Sequence, residues 1–183
     1  MRERRLNVII LGIDPGYAIT GFGVVEHDGR RFKTFDYGTI ETPADMPFPE
    51  RLLAIDQGID SLIQTYQPDC VAVEELFFYR NTTTAMGTAQ ARGVAVVAAA
   101  RENLPVHEYT PMQVKVAVTG YGHAEKAQIQ EMVRILLNLK EVPKPDDAAD
   151  ALAVAICHAH TGNLDSTRAV GGYQKGPPKR RWR

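Results

Sequence analysis

The strand-length apolar run from Leu6 to Ile13 and the shorter Cys70-Val71-Ala72-Val73 each end abruptly on a carboxylate, Asp14 after the first and Glu74 after the second. Short runs of Val, Ile and Leu without polar alternation are the pattern of strands covered on both faces, so these two segments predict neighbouring strands inside an α/β sheet. The stretches Thr20 to Glu26 and Phe32 to Ile40 read as two more strands, joined across Asp28-Gly29, a strong hairpin sequence. The first forty residues therefore predict an antiparallel meander. From Pro49 to Tyr66 the apolar positions Leu52, Leu53, Ile55, Ile59, Leu62, Ile63 and Tyr66 recur at helical spacing, and Pro68 ends that helix. Asn81 or Thr82 is placed to cap a long Ala-rich helix reaching about Glu102. Val106 to Tyr109 reads as a fifth short strand, followed by helices over Pro111 to Val118, Ala124 to about Leu139 and Asp146 to His160. The expected architecture is a single α/β domain over residues 1–162, a five-stranded mixed sheet with helices on both faces. The right-handed crossover rule sets the Cys70 strand parallel to the first strand and close to it.

Composition narrows the class. At 183 residues, 44% apolar and 23% charged, the chain suits one globular domain, and its longest apolar runs fall well short of the roughly 18 to 20 residues a membrane helix requires. The basic start Arg2-Glu3-Arg4-Arg5 is followed by an apolar run that Asp14-Pro15-Gly16 cuts off at strand length, against a signal peptide. These features predict a cytoplasmic protein. Two cysteines, Cys70 and Cys157, make no disulfide scaffold and lie in no C-x-x-C pattern, so both are expected as buried small hydrophobes. Charge is unevenly spread: residues 166–183 hold six basic side chains and no acid, whereas residues 1–165 hold 15 basic and 22 acidic ones. The segment 163–183, rich in Gly, Pro and Arg, is expected to be a disordered basic tail, either solubilising or in contact with a phosphate backbone.

The carboxylates are the strongest chemical signal. If the first and fourth strands are neighbours, Asp14 and Glu74 meet at the carboxyl edge of the sheet, where open α/β folds place their sites. Asp147 and Asp150 stand three apart on the last helix and share one face of it, on a background of Ala and Leu where an acid is costly without a role. Four oxygen donors from three segments repel one another unless a hard cation lies among them, and Mg²⁺ is the natural occupant. Asp146, adjacent to Asp147, leaves a one-residue ambiguity in that set. The five histidines show no ligand spacing and are expected to be structural or at the surface. Neither a G-x-S-x-G, an H-E-x-x-H nor a P-loop is present.

The ordered set Gly12-Ile13-Asp14-Pro15-Gly16, Thr20-Gly21-Phe22-Gly23-Val24, Val73-Glu74-Glu75-Leu76-Phe77, Ala89-Gln90-Ala91-Arg92-Gly93-Val94-Ala95, Gln113-Val114-Lys115, Ala124-Glu125-Lys126 and Asp147 through Ala153 resembles the RuvC family of Holliday junction resolvases. The resemblance spans about Val8 to His160. It implies a ribonuclease H-like fold, a homodimer, and metal-dependent nicking of two opposed strands of a four-way DNA junction, in recombination and repair beside the RuvA/RuvB branch-migration machinery. Asp14, Glu74, Asp147 and Asp150 match the family's four acids, which implies that they are catalytic ligands of Mg²⁺. Two ions about 4 Å apart are implied, with Mn²⁺ able to substitute. Phe77, in the aromatic run Phe77-Phe78-Tyr79, is implied as a stacking residue at the crossover, and Lys115 and Lys126 as DNA contacts. Arg80 and Arg92 are further candidate phosphate contacts. The small-residue helix from Thr82 to Ala100 is implied as the dimer interface.

Three other readings compete. Asp14-Pro15-Gly16 before a hairpin also suits the phosphate loop of actin-like and sugar-kinase ATPases, but 183 residues leave no room for their second lobe. A single-strand or hybrid nuclease shares the fold, and Phe77 with the dimer helix argues against it. A binding module without chemistry is disfavoured by the four intact acids.

Overall fold

A computed structural model describes residues 7–75 and 82–162. Ten elements follow in the expected order: β1 (Val8–Asp14), β2 (Ile19–His27), β3 (Phe32–Glu41), α1 (Phe48–Tyr66), β4 (Cys70–Glu74), α2 (Thr82–Arg101), β5 (Val106–Tyr109), α3 (Pro111–Thr119), α4 (Lys126–Leu136) and α5 (Asp146–Thr161). They build one five-stranded sheet of order β3-β2-β1-β4-β5. The meander β1-β2-β3 is antiparallel, while β1 pairs with β4, and β4 with β5, in parallel. This mixed sheet is the one the apolar runs predict, and the crossover through α1 sets β4 directly beside β1.

Local chemistry explains the turns. Gly29 takes a positive φ of 91°, and the Asp28 carboxylate accepts the amides of Arg30 (2.8 Å) and Arg31 (2.7 Å), closing the hairpin. Helix α1 stops at Gln67 in the left-handed region, just before Pro68. Thr110 and Gln113 form a reciprocal capping box that starts α3.

Side-chain alternation divides the core into two layers. Leu11, Ile13, Val24, Val71 and Val73 face α1 and α2, burying Ile55, Ile59, Ala91, Ala95 and Ala98. Ile10, Val25, Cys70, Ala72 and Tyr109 face the other way, toward α3, α4 and α5. Helix α5 is the centre of that second layer: Ala148, Ala149 and every residue from Ala151 to Cys157 are buried. Its close seating depends on glycine. A Cβ on Gly12 would strike the Ala151 carbonyl, one on Gly21 the Asp147 carbonyl, and one on Gly23 the Leu152 side chain. Gly12 pairs with Gly23 across β1 and β2, and Asp14 with Gly21, so the three glycines form one bare floor under the start of α5.

Candidate active site

The register of the sheet carries two acids to one place. Ile13 pairs with Val73 in parallel, so Asp14 and Glu74 are the next residues at the carboxyl ends of adjacent strands. By alternation both lie on the face where Gly12 and Ala72 receive α5. The first turns of α5, seated on the glycine floor, bring Asp147 and Asp150 to the same edge. Four carboxylates thus converge from β1, β4 and α5, as their spacing predicts.

Electrostatics record the convergence. Burial, reinforced by Glu74, Asp150 and Asp147, pushes the Asp14 carboxyl up to about 7. Burial raises Glu74 as well, with Asp150 adding to it, and burial likewise outweighs the nearby lysine at Asp150. Asp146 is different. It is exposed, and the hydrogen bond from Lys126 holds its carboxyl below the ordinary range. The structure therefore separates the two neighbouring acids, with Asp147 turned to Asp14 and Asp146 turned to α4.

Lys126 is the cation of this site. Its ammonium lies 3.1 Å from Asp146 and 3.3 Å from Asp150, and these contacts hold it protonated against the opposing effect of burial. Packing of α4 against α5 thus gives Lys126, expected from the family resemblance as a DNA contact, an ion pair with the acids that spacing could not reveal. Lys115 and Lys126 both line a cleft with Glu74, Asp150, Pro111, Val114 and Ile129. A second groove, lined by Gly16, Tyr17, Phe48, Met86, Gln90 and Asp147, runs between the β1–β2 loop and α2. Thr20, buried beneath that loop, donates to the Gly16 carbonyl at 2.7 Å. Buried Arg51 supports the groove's base, donating to the Thr42 hydroxyl at 2.9 Å and lying 3.8 Å from the Tyr17 ring centroid.

Arg92 pairs with Glu108 between α2 and β5, near Glu75 and at the same carboxyl end of the sheet as the acid cluster, but on the face that α2 covers. Phe77, Phe78, Tyr79 and Arg80, with Asn81 and the basic segment 163–183, lie outside the described residues. Helix α2 buries Ala91, Ala95, Ala98 and Ala99 on one side while Met86 and Val97 are exposed on another. Cys70, His107 and His158, from β4, β5 and α5, have ligand atoms within 4.8 Å of one another. They are far apart in sequence and meet only through strand pairing, which is why no ligand spacing announces them.

The raised carboxyl of Asp14 has a measurable consequence. The folded chain keeps this proton up to about pH 7, whereas the unfolded chain releases it near 3.8, so Asp14 costs the metal-free protein stability as pH rises from about 4 to 7. In EDTA, Asp14→Asn should gain on the wild type across that window by up to about 4 kcal/mol, read from paired denaturant unfolding curves. A stability difference independent of pH would contradict the burial.

Comparisons with known proteins identify the family. Residues 10–158 match the family model described as crossover junction endodeoxyribonuclease RuvC. Among curated proteins of that name, the one from Alkaliphilus metalliredigens is 60% identical over 159 residues, covering 87% of this chain and 97% of the relative. That from Clostridioides difficile is 55% identical over 166 residues, covering 90% and 98%. The solved structure of T. thermophilus RuvC in complex with a Holliday junction substrate superposes with a TM-score of 0.82 at 39% identity, over 86% of this chain and 96% of that one. The yeast mitochondrial Holliday junction resolvase Ydc2 shares the fold, with a TM-score of 0.61 at 13% identity over 82% and 77%.

Proposed function

Because the chain belongs to the RuvC family of crossover junction endodeoxyribonucleases, whose architecture is ribonuclease H-like, we propose that it resolves four-way DNA junctions by metal-dependent hydrolysis at Asp14, Glu74, Asp147 and Asp150. The observation that carries the site assignment is the meeting of these four carboxylates at one sheet edge, with Asp14, Glu74 and Asp150 desolvated there. The donor set suits a hard divalent cation: it is all oxygen, it comes from three separate elements, and burial raises the carboxyls of Asp14, Glu74 and Asp150 above their ordinary range. Mg²⁺ is the proposed ion, two per site, with Mn²⁺ as substitute. Bound there, it would activate a water and stabilise the departing 3'-oxygen.

The remaining roles belong to side chains. Asp14 and Glu74, on paired strands, define the fixed half of the site. Asp147 and Asp150, on α5, define the other half. Lys115 and Lys126, lining the cleft beside Glu74 and Asp150, are proposed to meet phosphate oxygens; for Lys126 this means leaving the two aspartates. Arg92 and Arg80 are kept as secondary phosphate contacts and Phe77 as the stacking residue, on the family resemblance. The groove beside Asp147 offers Tyr17 and Phe48 as additional rings along a strand's path.

A homodimer is proposed because α2 leaves the large apolar side chains of Met86 and Val97 exposed opposite its buried alanines, a surface that suits a second copy. No helix among the described residues is long and apolar enough to cross a membrane. A cytoplasmic location, action beside a RuvA/RuvB branch-migration assembly, and contact of the basic tail with DNA complete the reading.

The test compares labelled four-way junction with linear duplex of the same sequence, in Mg²⁺, Mn²⁺ and EDTA. Paired nicks confined to the junction and lost in EDTA are expected. Binding to the junction without nicks in either metal would mean a recognition module, and nicking of linear duplex at equal rate would remove the structural selectivity.

A further inference from the structure

We propose that Cys70, His107 and His158 form a second, structurally distinct metal centre that takes Zn²⁺. Register and alternation build it. Cys70 opens β4 on the face that carries Glu74 at its other end, and His107 pairs with Ala72 on that face of β5. His158 descends from α5, eight residues beyond Asp150 and so about 12 Å further along the helix. The two imidazole rings lie 4.3 Å apart between centroids, and all three ligand atoms fall within 4.8 Å of one another. Drawing them to the roughly 3.3 to 3.6 Å separations of a tetrahedral zinc site requires side-chain shifts of about 1 Å, without movement of the strands.

The chemistry of the group fits a borderline-soft cation and not a hard one: one sulfur and two imidazole nitrogens, no carboxylate. It also has the supporting contact that zinc histidines use. The Tyr109 hydroxyl sits 2.7 Å from Nδ1 of His158, leaving Nε2 as the nitrogen that faces a metal. Both histidines are held neutral by burial, His158 down to about 4, which keeps their lone pairs available at physiological pH. Burial pushes the Cys70 thiol up to about 12, so an uncomplexed thiolate is disfavoured there and only a bound cation would stabilise one. Binding releases one proton, from the Cys70 thiol; His158 keeps its proton on Nδ1, donated to the Tyr109 oxygen. Such a centre would tie β4, β5 and α5 together at the end of the sheet opposite the four acids, and so act as a clamp on the elements that carry Glu74, Asp147 and Asp150.

The experiment uses the full chain and Co²⁺ as a spectroscopic stand-in. One Co²⁺ per chain should give a thiolate-to-cobalt charge-transfer band, which ions held by carboxylates do not produce. Zn²⁺ should bleach it, Cys70→Ser and His107→Gln should abolish it, and Cys157→Ser should keep it. Zn²⁺ at a hundredfold excess over its Kd should raise the wild-type Tm by roughly 5 to 10 °C, a rise both variants lose. No charge-transfer band in the wild type would overturn the proposal without recourse to any variant, and so would a band that survives Cys70→Ser.

Discussion

Replacing Asp14 by Asn leaves binding to a four-way junction intact and lowers Mg²⁺-dependent nicking at least about 10³-fold, a loss of roughly 4 kcal/mol of transition-state stabilisation. The substitution keeps the shape of the side chain and removes the charge that four converging carboxylates offer a cation. Asp14 is the member whose proton affinity is raised most by burial and by the other three, so it is also the acid that a metal-free fold least tolerates in ionised form. The same variant should therefore be more stable than the wild type at pH 7 in EDTA. A catalyst that gains stability as it loses activity is the signature of a site held together against its own repulsion. Junction affinity by gel shift, single-turnover nicking and unfolding in EDTA measure the three quantities separately; equal loss of binding and nicking, or near-normal nicking, would remove Asp14 from the metal site.

A larger structural effect is expected from Gly12→Val. Its added side chain would run into the Ala151 carbonyl and the Ala155 side chain, backbone and core groups that have no room to yield. Seating α5 further from the sheet would open a gap along the most buried helix of the molecule. The expected cost is about 3 kcal/mol, a fall in Tm of roughly 6 to 12 °C, with nicking reduced further than stability alone explains because Asp147 and Asp150 move with the helix. Gly29→Ala tests the distinction. That glycine sits at a positive φ with nothing near its missing side chain, so the change strains one hairpin and should leave nicking at working temperature near normal. Equal effects at both positions would argue against the bare floor.

Much of this was legible in the chain. The meander followed from alternation and an Asp-Gly turn, and β4 from a four-residue apolar run between Pro68 and two glutamates, because these signals are local. The four acids stood out because each abuts residues that belong in a core, where an idle charge is expensive. What sequence could not supply depends on how helices rotate and pack. Asp146 and Asp147 differ by 100° around α5, and only the seating of that helix on Gly21 decides which faces Asp14. Lys126 meets Asp146 and Asp150 because α4 lies against α5. Cys70, His107 and His158 share no spacing at all, and their meeting is a product of strand register.

The position of α5 in the chain also orders events during synthesis. Strand β1 emerges first and lies at the middle of the sheet, but the helix that covers it, and half of the acid cluster, are translated last. Contacts between α5 and β1 span well over a hundred residues, so they carry a larger loop-closure cost than the local pairings of the meander. An incomplete or prematurely ended polypeptide thus carries Asp14 and Glu74 without Asp147 and Asp150. On the proposed assignment such a fragment lacks half of the metal ligands and should not nick a junction.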